Sequence, residues 1–373
     1  MSIDINISKI EQVFYRAKQN GLTFGDHAKK KRLSDRTVQT YCDVVKAYAN
    51  YLHREHGIDI IKAKPKHAYD YIKERIEKFH KGQASAFSLR RFAHAIHAFR
   101  EASQKTGVFK GKVKIGDKRE ILQMLTDNNV FRKSADSKTL KANHADYLEV
   151  QREIINSRSP NASTTAQIHQ IQRYLGARIH EAVKMKVNDL VFGKGIVTVT
   201  IKGKGGLVRH VTTDHGPTIE LLQSQARGKK NGTPLFSIIN KLGQDKSLRS
   251  SVKAMKDNIR SAAKRAGVDR EGKTYTSHSA RKAFAQAEMD RYSVWNVSQL
   301  KSEVGKRIAA DPSLKTKYDK TLHNIRAKIS DCSPNKSRDL SHKELCQWLV
   351  STALGHGRND VIRYYCNYPM KRK

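Results

Sequence analysis

The sequence predicts a mainly α-helical protein with a small antiparallel β-sheet, arranged as two domains. Over most of the first 125 residues, apolar side chains recur three and four positions apart, which is the spacing of one buried helix face. Between residues 190 and 213 the pattern becomes short alternating segments separated by Gly- and Lys-rich turns, as in β-strands. A length of 373 residues is enough for two domains that each bury a core.

The composition indicates a polyanionic partner. Lys and Arg total 72 against 35 Asp and Glu, a formal net charge of +37, and double-stranded DNA is the natural partner for such a chain. No stretch approaches the roughly 18 continuous apolar residues of a spanning helix, and the first residues do not resemble a signal peptide. We therefore expect no membrane partner and a cytoplasmic, nucleoid-associated protein of a bacterium. The four cysteines lack the spacing of a zinc site, so no metal is expected.

Residues 1–125 are predicted to form a helical DNA-binding domain. Ser34 is a predicted N-cap, Pro65 opens the next helix and a further helix starts at about Ser85, with Gly57 and Gly82 as breaks. The aromatic residues of these helices are interpreted as core rather than as base-stacking side chains. The candidate DNA contacts lie outside the apolar stripes and are Lys29, Lys30, Lys31, Arg32, Arg90, Arg91, Lys110, Lys112 and Lys114.

A basic segment connects the two predicted domains. Residues 108–141 are rich in Lys and Arg and poor in acids, and the part from Phe131 to Asn143 lacks a clear period. We assign residues 126–143 as the linker. Such a connector can lie along a duplex, because each neutralised phosphate releases counterions and strengthens binding.

The second predicted domain covers residues 144–373 and combines helices with the short strands. Gly176 ends its second helix, a hairpin tip follows at 203–206, and Thr276 opens a later helix. The predicted segments are helices 146–157 and 164–175, strands 190–192, 195–201 and 207–213, helices 218–227 and 245–266, and a helix at 341–350.

Residues suited to covalent chemistry by a tyrosine follow one another in this domain. A tyrosine has a free pKa of about 10, so a phenol that does covalent work needs cations and a proton acceptor beside it. A tyrosine nine residues after a Leu-Gly-His turn, with upstream Arg, Lys and His-x-x-Arg segments, meets that need. In chain order the candidates are Arg178, Lys204, His278, Arg281, His356 and Tyr365.

This order resembles the tyrosine recombinase (phage integrase) family over roughly residues 140–365. The resemblance implies that family's architecture, a helical core-binding domain followed by an α/β catalytic domain. It also implies that Tyr365 attacks a DNA phosphodiester, forms a 3′-phosphotyrosine and frees a 5′ hydroxyl. Because the phosphotyrosine stores the bond energy, no metal, ATP or other cofactor is expected.

The resemblance implies a role for each cation and histidine. Arg178 and Arg281 offer planar, permanently charged forks to the non-bridging oxygens, and Glu181 orients Arg178. His278 and His356 are expected to donate to phosphate oxygens, and His278 can also accept the phenolic proton.

Two assignments in the site have rivals in the sequence. The family's proton donor to the leaving 5′ oxygen corresponds to Lys204, with Lys202 as the rival on the same turn. Tyr364 and Tyr368 compete with Tyr365 as nucleophile. The Gly-Lys-Gly-Gly run lacks the spacing and the following Ser or Thr of a nucleotide-binding loop, so ATP binding is rejected.

The predicted function is site-specific recombination or integration of a mobile element. The expected partner is DNA with paired inverted core sites, on which the protein assembles as a tetramer, with an accessory DNA-bending protein as a further potential partner. The alternatives are a type IB-like topoisomerase and a non-catalytic DNA-binding relative. Two assays separate the recombinase from the topoisomerase: exchange between two defined DNA sites indicates a recombinase, and relaxation of supercoiled plasmid without exchange indicates a topoisomerase.

The chain departs from compact relatives in two places. The 78 positions from His278 to His356 include an insertion at about 290–343, basic and largely helical in pattern, which suits a lid, a DNA clamp or a protein contact. The short stretch after Tyr365 leads us to expect that the C-terminal helix docked by many relatives in a neighbouring protomer is missing.

Overall fold

The computed structural model describes residues 3–21, 34–131, 137–203, 207–240, 242–332 and 338–369, without the side chains of 328–332. The chain divides into two compact units, Met1–Lys133 and Ser134–Lys373. The predicted class, mainly helical with a small antiparallel sheet, is confirmed. Among the described residues, no helix combines the length and apolar character needed to cross a membrane.

Helices build the described part of the first unit. The Ser34 hydroxyl accepts the N–H of Thr37 at 3.3 Å, and Gly57 ends the same helix in the left-handed region at φ 61°, so both predicted signals act as expected. The elements are α1 (Ile3–Gln19), α2 (Asp35–His56), a 3₁₀ turn (Ile60–Lys62), α3 (Pro65–His80), α4 (Ala86–Thr106) and α5 (Lys118–Asp127).

The aromatic residues of this unit lie mainly in its core. Tyr48, Phe92 and Phe99 are buried and Tyr41 is half-buried. The ring centroids of Tyr48 and Phe92 are 5.3 Å apart in an edge-on arrangement, which is favourable for the aromatic quadrupoles.

Helix α5 lies within the basic segment where the sequence analysis found no element. The Asp117 carboxylate caps its first turn by accepting the N–H of Arg119 at 2.7 Å, and Ile121 and Leu125 enter the core. The high density of Lys and Arg hid this short apolar stripe. Farther along, Leu140 belongs to the core of the second unit, and its N–H bonds the carbonyl of Thr274 at 2.9 Å.

The second unit surrounds a three-stranded antiparallel sheet with helices. Strands β1 (Leu190–Gly193), β2 (Ile196–Lys202) and β3 (Val208–Thr213) lie in the order β1-β2-β3, and Val199 faces both Leu190 and Val211 in register. The helices are α6 (His144–Ile155), α7 (Ala162–Tyr174), α8 (Ile179–Val183), α9 (Gly216–Ala226), α10 (Leu248–Arg265), α11 (Ser277–Ser293), α12 (Val297–Ala310), α13 (Ser313–Cys332) and α14 (His342–Ala353), followed by a 3₁₀ helix (Asn359–Tyr364).

The predicted insertion forms α12 and α13, which pack on the core of their own unit. Leu300 is fully buried and Val304 nearly so. Ile308, Leu314 and Tyr318 pack against the same core from partly buried positions. The two helices are therefore structural parts of the second unit, whatever else they contact.

Candidate active site

Gly176 makes the turn that brings Arg178 into place between α7 and α8. Its φ is +57°, and a Cβ built there would lie 2.5 Å from the ring of Phe284, so only glycine fits. Arg178 then occupies the N-cap of α8 and its N–H bonds the Glu181 carboxylate at 2.8 Å. The Arg178 side chain remains 22% exposed, so its fork is accessible from solvent.

The Glu181 carboxylate is the hub of an arginine cluster. It accepts Nη1 of Arg178 at 2.7 Å and Nη2 of Arg209 at 2.8 Å, and Nη1 of Arg281 lies 4.0 Å away. Burial alone would raise the pKa of Glu181, but the hydrogen bonds and charges of Arg209 and Arg178 outweigh it and lower the pKa to about 2. Glu181 is therefore ionised, and its carboxylate binds both the backbone N–H and the side chain of Arg178.

Sequence reasoning missed Arg209. This residue lies on β3 at a position whose side chain faces the core in the alternating burial of that strand, and it also donates to the carbonyl of Gly176 at 3.3 Å. The signal available beforehand was a charge at an inward position of a predicted strand. A buried charge requires a partner, and Glu181 supplies it.

Arg281 is fully buried and links two loops of the site. Its Nη1 donates to the carbonyl of Gly176 and its Nη2 to the carbonyl of Leu354. Burial, followed by the charges of Arg178 and Arg209, lowers the pKa of Arg281 to about 9, so it stays protonated at neutral pH. Its fork thus faces backbone carbonyls, and Arg178 is the more open of the two arginines.

Two histidines hold the hydroxyl of Tyr365. The phenolic oxygen lies 3.1 Å from Nε2 of His278 and 2.9 Å from Nε2 of His356. The guanidinium carbon of Arg281 is 5.8 Å from the centroid of the phenol ring. The tertiary structure therefore brings together four of the predicted residues, with two histidines at the Tyr365 hydroxyl and Arg281 beside its ring.

Both imidazoles are neutral at physiological pH. Burial and then the charge of Arg281 lower the pKa of His278 to about 3, and the same two causes lower that of His356 to about 3. A neutral imidazole has one N–H and one lone pair. Since a single hydroxyl lies between two Nε2 atoms, a satisfied arrangement requires one ring to accept its proton while the other donates to its oxygen.

The neighbouring tyrosines point to other partners. The Tyr364 hydroxyl accepts Nη2 of Arg363 at 3.1 Å, and the Tyr368 hydroxyl lies 2.8 Å from Nδ1 of His342. Of the three candidates, Tyr365 is the one whose hydroxyl contacts the histidine pair.

Asn367, two residues after Tyr365, is tied to its own unit by hydrogen bonds. The N–H of Asn367 bonds the side-chain oxygen of Gln286 at 2.9 Å, and its carbonyl accepts the Gln286 amide at 3.0 Å. Lys141 reaches the Asn367 side chain at 2.7 Å. These bonds fix the backbone two residues beyond the phenol.

The hairpin that carries the predicted site lysine is described only at its two flanks. Lys204 falls outside the described residues, while the flanks of its hairpin close through the N–H of Gly203 and the carbonyl of Leu207 at 2.6 Å. The rival Lys202 is 64% exposed, and its ammonium lies 3.3 Å from the carboxylate of Asp189. The described contact of the Lys202 ammonium is therefore an ion pair with Asp189.

The predicted DNA contacts of the first unit are only partly described. Arg90 and Arg91 are half-buried, and Lys110, Lys112 and Lys114 are exposed. In the part of the chain that the structure describes, no group of three or more His, Cys, Asp or Glu side chains is placed to hold a metal ion. The four basic residues Lys29, Lys30, Lys31 and Arg32 lie outside the described residues.

Three solved structures with a similar fold are complexes of a recombinase or an integrase with DNA. One is the XerH site-specific recombinase bound to palindromic difH substrate in a post-cleavage complex, with a TM-score of 0.53 at 14% identity over 96% of this chain and 91% of that chain. A pre-cleavage complex of XerH with difH has a TM-score of 0.53 at 13% identity, over 98% of this chain and 94% of that chain. A lambda integrase(75–356) dimer bound to a COC′ core site has a TM-score of 0.50 at 13% identity, over 74% of this chain and 87% of that chain.

Sequence comparison assigns both units to one family. No curated protein sequence matches the chain. The model of the phage integrase family matches residues 144–292, and that of the phage integrase N-terminal SAM-like domain matches residues 26–105. Together they span more than half of the chain, with the arginine cluster's Arg178, Glu181 and Arg281 inside the first match. The chain belongs to the phage integrase family of tyrosine recombinases.

Proposed function

We propose that this protein is a site-specific DNA recombinase of a mobile element, which cleaves and rejoins DNA through a 3′-phosphotyrosine on Tyr365. The observation that carries the proposal is the phenolic oxygen held by His278 and His356, with the buried Arg281 beside the phenol ring. Family membership and the DNA complexes of similar fold support the same reaction class.

In the proposed step, the Tyr365 oxygen attacks the phosphorus and the bond from phosphorus to the 5′ oxygen breaks. The phenolic proton passes to an imidazole Nε2 that presents its lone pair, and His278 is our candidate. The leaving 5′ oxygen takes a proton from Lys204. Rejoining is the reverse reaction, in which a 5′ hydroxyl of the partner strand attacks the phosphotyrosine.

The arginines stabilise the charge that develops on the phosphate. Arg178, which is oriented by Glu181 and open to solvent, supplies the fork to the non-bridging oxygens. Arg281 holds the loops and contributes its positive field from a buried position. A phosphate bound here brings negative charge near both histidines, which raises their pKa values and makes them better proton acceptors when DNA is in place.

In this proposal, the first unit binds the DNA that flanks the cleavage point. Four copies of the protein assemble as a tetramer on DNA with paired inverted core sites. Exposed Lys110, Lys112 and Lys114 suit contacts with backbone phosphates. Because the phosphotyrosine keeps the energy of the broken bond, the reaction is metal-independent and needs no nucleotide. An accessory DNA-bending protein at the recombination site and nucleoid association belong to the same proposal.

Trapping on a nicked suicide duplex tests the nucleophile. The wild-type protein is expected to give a covalent adduct on a denaturing gel, and Tyr365→Phe to bind DNA normally without an adduct. Tyr364→Phe and Tyr368→Phe are matched controls that should keep it. An adduct in Tyr365→Phe would overturn the assignment, and plasmid relaxation without exchange between two sites would favour a topoisomerase.

A further inference from the structure

The position of His356 depends on how α14 ends. The N–H of Gly355 bonds the carbonyl of Thr352 and the N–H of His356 bonds the carbonyl of Ser351, both at 2.8 Å, with Gly355 at φ +70°. This pair of bonds is a Schellman motif. His356 is therefore anchored through its backbone to the last turn of α14, and movement of that turn moves the imidazole that contacts Tyr365.

Arg307 of the insertion binds the same helix end. Its Nη1 donates to the carbonyl of Leu349 at 2.7 Å and to the hydroxyl of Thr352 at 2.9 Å. Its Nη2 donates to the hydroxyl of Tyr292, and its Nε bonds the carboxylate of Glu303 at 3.0 Å. Each of its three nitrogens has a partner, and a cation at the C-terminal end of a helix is favoured by the helix dipole.

Helix α13 supports the turn from the side of Gly357. A Cβ built on Gly357 would lie 2.5 Å from Cδ of Lys317, so the lysine stem lies directly on the backbone that follows His356. The ring of the next residue, Tyr318, meets the buried Trp348 of α14 edge-on, with 5.5 Å between the ring centroids. Both inserted helices thus contact the segment that carries His356.

We propose that Arg307 is a positioning residue of the active site: it clamps the last turn of α14, and through the Schellman motif it keeps the His356 imidazole against the Tyr365 hydroxyl. The insertion is then part of the catalytic apparatus of its own protomer. The contacts of Arg307 with the site run through α14. The catalytic part of the proposal rests on the proposed function.

The test compares Arg307→Met, which keeps the side-chain stem and removes the donors, with Lys306→Met, the adjacent exposed residue of α12. At saturating suicide duplex, adduct formation by Arg307→Met is expected to fall by about 10- to 100-fold, the scale of a small misplacement of a reacting group. Its DNA affinity should stay within about twofold, since many other cations set it. Arg307→Lys, which retains a charge and a point donor, should recover part of the rate.

Amide hydrogen exchange provides a second measurement, which does not depend on enzymatic activity. The amides of residues 351–358 should exchange faster in Arg307→Met than in wild type or Lys306→Met, while both folded units persist. Unchanged exchange, or a wild-type rate of adduct formation in Arg307→Met, overturns the proposal. If Arg307→Met does not fold, the rate of adduct formation and the amide exchange of Arg307→Lys are compared with those of wild type and Lys306→Met instead. A wild-type protein that forms no adduct overturns the proposed function, and exchange then still decides whether Arg307 holds the turn.

Discussion

Glu181→Gln is the most informative test of the arginine cluster. The substitution keeps the size of the side chain and removes its charge, which leaves Arg178, Arg209 and Arg281 close together without a counterion. Arg209 and Arg281 are buried, so water cannot screen them. The variant should destabilise the second unit and misorient Arg178 at the same time.

Two arguments give the same size for the loss. The shift of the Glu181 pKa from 4.5 to about 2 corresponds to about 3 kcal/mol of stability at neutral pH. Removing one partner of a buried ion pair typically costs about 3–5 kcal/mol. Because glutamine keeps a hydrogen-bond acceptor, we expect a loss of about 3 kcal/mol.

Urea unfolding followed by tryptophan fluorescence measures this loss in the right place. Both tryptophans of the chain, Trp295 and Trp348, belong to the second unit. With a slope of about 2 kcal/mol/M, the midpoint should fall by about 1.5 M urea. Glu149→Gln removes an exposed ion pair with Arg152 and should cost less than about 0.5 kcal/mol.

The pH dependence and a double mutant complete the test. The depressed pKa means that the stabilisation is complete above about pH 4.5 and is lost as the pH falls toward 2, so the gap between wild type and Glu181→Gln should close over that range. Adding Arg209→Met should cost at least about 1 kcal/mol less than the sum of the single changes. If the losses of Glu181→Gln and Arg209→Met were additive, or if Glu181→Gln cost no more than Glu149→Gln, Glu181 would not be the counterion that holds the arginine cluster.

Three further outcomes are expected. Arg178→Lys should slow single-turnover adduct formation by about 100-fold or more with a much smaller change in DNA affinity, because the planar fork is lost; a rate near wild type would assign Arg178 to structure alone. Adduct formation should proceed unchanged in EDTA, and its loss would reveal a metal requirement. Replacing Lys110, Lys112 and Lys114 together by Gln should reduce the slope of log affinity against log salt by about 2–3, measured by titration of a labelled duplex; an unchanged slope would place these lysines away from DNA.

The amino-acid sequence by itself determined the elements and the order of the reactive residues. Apolar periodicity and capping residues are local properties, so the helix that starts after Ser34 and ends at Gly57 and the three strands between 190 and 213 could be predicted without tertiary information. The resemblance to the family also depends only on the order of residues in the sequence. Helix α5 escaped prediction because it has only 10 residues, so its two buried residues, Ile121 and Leu125, are too few to show a helical period.

The tertiary structure alone decided how those residues face one another. Arg209 joins Glu181 across 28 positions of sequence, and Arg281 reaches the Gly176 carbonyl across 105. Such contacts depend on how distant segments pack. No local pattern could show that the Arg281 fork is turned toward backbone carbonyls. The contact of the Tyr365 hydroxyl with two histidines, and the contact of the inserted Arg307 with α14, likewise depend on the packing of distant segments and not on any local pattern.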